Sequence, residues 1–207
     1  MRNYIILVLI SFIGSSVLYL YKAPGATEVY QSPETIQSYK NQYALGCSPN
    51  LSAINFSDSA NIIPLLEGWG KHRMPVTVTN DSAAIYFQQG INMYYGFHII
   101  EALASFEKAV QFDESFAMGH WGKALAYGPN INDFGYAASP EALAAVQKAS
   151  ELCSNCTPVE KALIAAMQTR YSTDTTQTRV YLNELYAAAM KEVHKNFPQS
   201  GDAAALY

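Results

Sequence analysis

A nine-residue pattern recurs. Glu101-Ala102-Leu103-Ala104-Ser105-Phe106-Glu107-Lys108-Ala109 returns as Glu141-Ala142-Leu143-Ala144-Ala145-Val146-Gln147-Lys148-Ala149, at an offset of 40 residues from Ala102 to Ala142. Self-similarity at a fixed offset of about 20–50 residues marks a stack of small units, none of which buries its own apolar face alone. Small Ala102, bulky Phe106 and small Ala109 fall on one helical face, at i, i+4 and i+7. Small residues let a neighbouring helix approach, and the aromatic ring fills the gap. The pattern predicts an all-α chain of helix–turn–helix units.

The segment upstream supplies the other half of the first unit. Ala84, Phe87, Ile91 and Tyr94 form an apolar stripe at helical spacing, and Asn80, Asp81 and Ser82 offer N-caps before it. Gly90 costs helix propensity of about 1 kcal/mol, which is rational where another helix crosses. Tyr86, Gly90, Ala102, Phe106 and Ala109 are spaced as in a tetratricopeptide repeat. Residues 75–132 also resemble a group of uncharacterised bacterial tetratricopeptide-repeat proteins. The resemblance rests on Tyr86-Phe87-Gln88-Gln89-Gly90, Tyr95-Gly96-Phe97, Glu101-Ala102, Ser105-Phe106, Ala117-Met118, Trp121-Gly122 and Gly128-Pro129-Asn130-Ile131-Asn132. It implies a curved helical array. The chain departs from the pattern at Glu114, where proline is usual, and at Ile99-Ile100, where polar residues are usual. Its second unit is also longer than the period of about 34 residues.

Residues 4–21 form an uncharged apolar run, with Arg2 before it and Lys22 after it. As one helix this run would measure about 27 Å, near the thickness of a hydrocarbon core. Residues 1–22 therefore read as a signal anchor, or as a signal peptide with Ala23-Pro24-Gly25 at its cleavage site. Either reading places the rest of the chain outside the cytoplasm, membrane-anchored or, after cleavage, secreted or periplasmic. Residues 23–61 are polar and read as a flexible spacer. Residues 62–80 carry Leu65, Leu66, Trp69, Met74 and Val76, broken by prolines and glycines, and read as an extended arm packed on the first repeat. Within that arm, residues 76–79 alternate as a short strand would, but a lone strand lacks a partner.

Residues 81–207 hold the repeats. A helix is expected over 115–127, ended by Gly128-Pro129. Ser139-Pro140 opens the next, and Thr157-Pro158-Val159-Glu160 is a capping box with proline at the first position. Val159, Leu163 and Ala166 are expected to point inward from that helix. From the helix over 178–196, Leu182, Leu185, Ala189 and Val193 are expected to do so. The chain ends inside an apolar helical pattern at 202–207, which reads as an incomplete last repeat of a C-terminally truncated fragment.

Chemistry is sparsely signalled. The balance is mildly acidic, at −4, with 13 basic and 17 acidic residues. No helix face gathers Lys or Arg, which argues against nucleic acid as a partner. Cys153-Ser154-Asn155-Cys156 has the spacing of a disulfide, a redox pair or half a metal site. Thr157 follows where haem attachment needs histidine. A position near a helix start would lower the Cys156 thiol pKa. Cys47 is the odd cysteine. The histidines, His72, His98, His120 and His194, show no zinc-binding spacing. His72, His120, Asn130 and Asn132 could meet on the face of the first helices, or simply serve as caps and turn residues. No cofactor, metal ion or catalytic residue is assigned.

The expected function is an extracytoplasmic scaffold, tethered through residues 4–21 or exported. It would grip a protein or peptide on its concave face, through Tyr86, Met93, His120, Asn130 and Asn132. Two alternatives stand beside it. One is a redox or metal-dependent protein using Cys153 and Cys156 or the His/Asn cluster; the other is an assembly subunit of a larger envelope complex.

Overall fold

Asn80 caps the helix that follows the arm. Its Oδ1 accepts from the backbone of Ser82 and Ala83, at 2.9 and 3.1 Å, satisfying two N–H groups that a helix start leaves unpaired. Helix α1 then spans Asp81–Tyr95. It is followed by α2 (Ile99–Phe112), α3 (Ala117–Tyr127) and α4 (Pro140–Glu151). After a 3₁₀ turn at Cys153–Asn155 come α5 (Pro158–Gln168), α6 (Arg179–Asn196) and α7 (Gly201–Leu206). The computed structural model describes residues 5–10, 16–21, 60–61, 63–130 and 140–207. The capping box at α5 is present as expected: Thr157 Oγ1 accepts from Glu160 N, and Glu160 Oε2 accepts from Thr157 N.

Each helix packs on its successor, and α3 also touches both α1 and α5. The centre of this packing is Phe106 on α2, which has no exposed surface. Its ring lies between two glycines. A Cβ added at Gly90 would come within 2.6 Å of Cε1, and one added at Gly122 within 2.5 Å of Cδ1. Both glycines are therefore set by close approach to the ring, one from α1 and one from α3. Phe87 stands 5.5 Å from the same ring, centroid to centroid. Trp121 is also fully buried, and its indole N–H donates to the Leu163 carbonyl at 3.3 Å.

The recurring nonapeptide plays one role twice. Ala102, Phe106 and Ala109 are wholly buried on α2, and Ala142, Val146 and Ala149 are wholly buried on α4. Ile99 and Ile100, which break the polar pattern after the first turn, are buried as well. On α6 the inward set differs from expectation. Leu182 and Val193 are buried, but Leu185 is 37% exposed, and Met190 is buried in its stead. Tyr186, one position further on, packs against the core. The four-residue step from Leu182 to Tyr186 and on to Met190 follows the helical period better than the three-residue step to Leu185. Residues 76–79 form no strand.

The chain divides into two units, Met1–Gln42 and Tyr43–Tyr207; the seven helices named above lie in the second. In the first, β1 (Ile5–Ile10) pairs antiparallel with β2 (Ser16–Tyr21), Ile5 opposite Tyr21 and Ile10 opposite Ser16. This differs from the single helix expected over residues 4–21. The run is rich in β-branched and aromatic residues, among them Ile5, Ile6, Val8, Ile10, Val17, Tyr19 and Tyr21, which favour the extended backbone. Among the described residues no helix is long and apolar enough to cross a membrane. The spacer expected over 23–61 lies almost wholly outside the described residues.

Candidate functional site

The first face to consider is that of α1, α5 and α7, where the arm lies. Side-chain amides of α1 hold its backbone. Gln88 Nε2 donates to the Met74 carbonyl at 2.7 Å, and its Oε1 accepts from Met74 N at 2.9 Å. Asn92 makes the same reciprocal pair with the backbone of His72, at 3.0 and 3.2 Å. Gln89 accepts from Leu66 N at 2.7 Å and donates to the Pro64 carbonyl at 3.0 Å. Such contacts read the backbone and not the side chains. Further along, Thr77 donates from N and Oγ1 to Glu160 of α5, at 2.5 and 2.7 Å. Glu160 is 1% exposed and also accepts from Thr157 N and Oγ1. His72 Nε2 meets Asp202 Oδ1 of α7 at 2.7 Å, and the Tyr95 hydroxyl donates to the same oxygen at 2.9 Å. Burial first, and then the Asp202 charge, push the Tyr95 phenol pKa far up.

The second feature is a cavity of about 470 Å³ where α1, α3, α6 and α7 meet. Tyr94, Ile99, Leu125 and Leu206 give it apolar walls, and Arg170, just after α5, forms its polar side. Arg170 is 9% exposed. Its Nη2 donates to the Pro129 carbonyl at 2.5 Å, while Nε and Nη1 are buried without a hydrogen-bond partner among the described residues. The guanidinium lies over the Tyr186 ring, 4.6 Å from its centroid. Arg179 stands next to it: Nη2 donates to the Arg170 carbonyl at 2.6 Å and Nε to Asn183 Oδ1 at 3.0 Å. Its Nη1 is likewise buried and unpartnered. No ion pair among the described residues reaches either arginine.

The protonation states follow from these surroundings. Burial opposes the Arg170 cation, but the Tyr171, Tyr186 and Tyr94 phenols outweigh it and leave its pKa above the usual guanidinium value. Burial, and then the charge of Arg170, pull Arg179 down. Burial also raises Tyr171, and raises Tyr186 to about 12, against the opposing charge of Arg170. Tyr171 and Tyr186 are therefore neutral at physiological pH, and they oppose loss of the Arg170 proton only at the strongly alkaline pH where they themselves ionise. The Tyr171 proton is committed to the Ala124 carbonyl at 2.6 Å. At the rim, Phe97 adopts a φ of 62°, a left-handed conformation costly for an aromatic residue.

The expected partner-binding residues do not converge. Met93 has no exposed surface, so it belongs to the core and offers nothing to a partner. Its sulfur accepts from Ser105 Oγ at 3.6 Å. His120 is buried, and its Nε2 lies 3.1 Å from the Glu114 carbonyl. Desolvation lowers its pKa. Tyr86 is half-buried; its hydroxyl reaches the Ile63 carbonyl and its ring stacks on Phe112 at 5.7 Å. Asn130 lines the arginine cavity, whereas His72 pairs with Asp202. Asn132 lies outside the described residues. His72 therefore meets Asp202, and not His120.

Cys153 and Cys156 carry free thiols, the first buried and the second half-buried. Burial and a hydrogen bond with Cys153 raise the Cys156 pKa to about 12, opposite to the lowering expected from its place before α5. The desolvation of a half-buried thiol next to another thiol exceeds what a helix start returns. Among the described residues, no group of three or more His, Cys, Asp or Glu side chains is placed to hold a metal ion. The Arg170 cavity was not foreseen from sequence. Arg170 and Arg179 lie nine residues apart without a neighbouring acid except Asp174, and that spacing carries no motif. No protein-family model, curated protein or solved structure matches this chain.

Proposed function

We propose that the chain is a helical-repeat binding module, of the tetratricopeptide type, that takes up extended segments of a protein or peptide on its first helices. It acts outside the cytoplasm, tethered or exported through residues 4–21. The observation that carries this reading is the arm. An extended segment lies against α1, held through backbone bonds from Gln88, Gln89 and Asn92. That mode of grip suits many sequences, because every peptide presents the same N–H and C=O groups. The alternation of contacts supports it too: α1, α3 and α5 adjoin while α2 and α4 lie between them in sequence, as stacked helix pairs do. The Cys pair supports a redox role less well, since its outer thiol is held protonated.

Photo-crosslinking in the native host tests the reading. A crosslinking residue is placed at exposed Lys161 or Ala165 on α5, and at exposed Gln147 on α4 or Glu192 on α6 as the control. The scaffold reading expects discrete protein adducts from α5 and none from the control positions. Equal labelling from both sets, or none from either, removes its support. Retention of the adducts in a Cys153→Ser, Cys156→Ser variant separates it from the redox reading.

A further inference from the structure

The turn between α4 and α5 brings two thiols within bonding reach of each other. Cys156 N donates to the Cys153 carbonyl at 3.3 Å and closes the 3₁₀ turn. A turn closed by a bond from residue i to i+3 holds its outer Cα atoms within about 7 Å, and a disulfide needs about 4.4–6.8 Å. The Cys153 side chain is already the hydrogen-bond partner of the Cys156 thiol. The turn is also pinned on both sides. Cys153 is buried in the core of the helical unit, and Cys156 packs against that core. Lys161 Nζ of α5 donates to the Ser154 carbonyl at 3.0 Å. Joining the two sulfurs therefore moves little backbone.

Acidity separates a catalytic thiol pair from a lasting cross-link. A catalytic pair exposes a thiol of low pKa, which attacks readily and leaves readily. Burial and Cys153 raise the Cys156 thiol to about 12. Such a thiol exchanges slowly at neutral pH and is a poor leaving group, so a disulfide through it resists reduction. The position of the turn gives a cross-link something to hold. Thr157, the next residue, caps α5, and its capping-box partner Glu160 accepts from Thr77 of the arm. A bond across 153–156 fixes the helix start on which the arm closes.

We propose that Cys153 and Cys156 form a disulfide that locks the turn before α5 and steadies the arm on Glu160. The oxidant is a small-molecule thiol in its disulfide form. Cys156, the more exposed of the two, loses its proton, and its sulfur attacks the oxidant; one thiolate leaves and a mixed disulfide remains. Cys153 then loses its proton and attacks the Cys156 sulfur, expelling the second thiolate. Two thiols of the chain are oxidised to one disulfide, and the oxidant is reduced to two thiols, which take up the two protons. The geometry stands without the partner reading above, and the extracytoplasmic setting of that reading is one in which such bonds persist.

The test places the 207-residue chain in a mostly oxidised glutathione buffer, both as the folded reduced chain and by dilution from urea. Dilution from urea decides the equilibrium, because every thiol is then accessible; the folded chain should reach the same product more slowly. Remaining thiols are alkylated, and trypsin releases residues 149–161 as one peptide that holds both cysteines apart from Cys47. That peptide should be recovered unalkylated and about 2 Da lighter than its reduced form. Cys47→Ser should leave this result unchanged. The oxidised chain should melt at least about 3 °C above its reduced form, with amide exchange at Thr77 slowed several-fold. Recovery of the peptide fully alkylated, as a glutathione adduct that does not close, or linked to Cys47 overturns the proposal. So does closure that leaves either the melt or the Thr77 exchange unchanged.

Discussion

Gly122→Ala should destabilise the protein, and the sign should reverse once Phe106 is removed. In an ordinary helix interior, glycine to alanine gains about 1 kcal/mol. Here the new Cβ would stand 2.5 Å from Cδ1 and 2.7 Å from Cε1 of Phe106, well inside van der Waals contact. The ring has no retreat, since Gly90 approaches it from α1 and Phe87 stands 5.5 Å away. Overpacking of this kind costs about 1–3 kcal/mol. Phe106→Ala alone removes a ring with no exposed surface and should cost about 3–5 kcal/mol. In that background the Gly122 Cβ meets open space, so Gly122→Ala should become neutral or stabilising. The coupling between the two positions is then about 2–3 kcal/mol. Urea unfolding followed by far-ultraviolet circular dichroism measures all four corners of the cycle. If Phe106→Ala leaves too little folded protein, Phe106→Leu gives a milder background. A Gly122→Ala cost that is the same with and without the ring would refute the packing argument.

Three further outcomes are expected. Glu160→Ala should free both Thr77 and Thr157 from a buried carboxylate with four donors, costing about 3 kcal/mol, with faster amide exchange at Thr77 as the readout. For His120, burial depresses the folded pKa below that of the unfolded chain. The unfolded state then binds more protons, so stability should fall as pH drops from about 7 to 5, and His120→Gln should flatten that slope in pH-dependent melts. With its thiol pKa raised to about 12, Cys156 should react slowly with iodoacetamide at pH 7.5 and accelerate on strongly alkaline titration; rapid alkylation at neutral pH, read by mass spectrometry, would contradict the burial argument.

Local signals carried the sequence reading where they were periodic. Ala102, Phe106 and Ala109 needed only a helical wheel to be placed in the core, and Gly90 needed only its unfavourable propensity to announce a crossing helix. Thr157 and Glu160 declared a helix start, and the structure adds that the same Glu160 also receives the arm. That second role was illegible, since Thr77 lies 83 residues away. Met93 looked available because helix polarity alone does not say which side a methionine faces. The arginine cavity escaped for a related reason. Arg170 sits in a turn, where no period constrains it, and its partners come from α1, α3 and α6. On Leu185 and Tyr186 the apolar pattern permitted two registers, and the ring under Arg170 took the inward one.

The arm also bears on how this chain folds. In a stack where each helix meets only near neighbours, units can nucleate anywhere and fray from the ends one at a time. Here Thr77 closes on Glu160 across 83 residues and His72 on Asp202 across 130. These contacts form only when the early and late helices are already in place, so they add non-local closure to a local topology. Relative to an unstrapped stack of the same length, folding should be slower. Unfolding should be closer to all-or-none, with α1 and α7 lost together and not from opposite ends in turn.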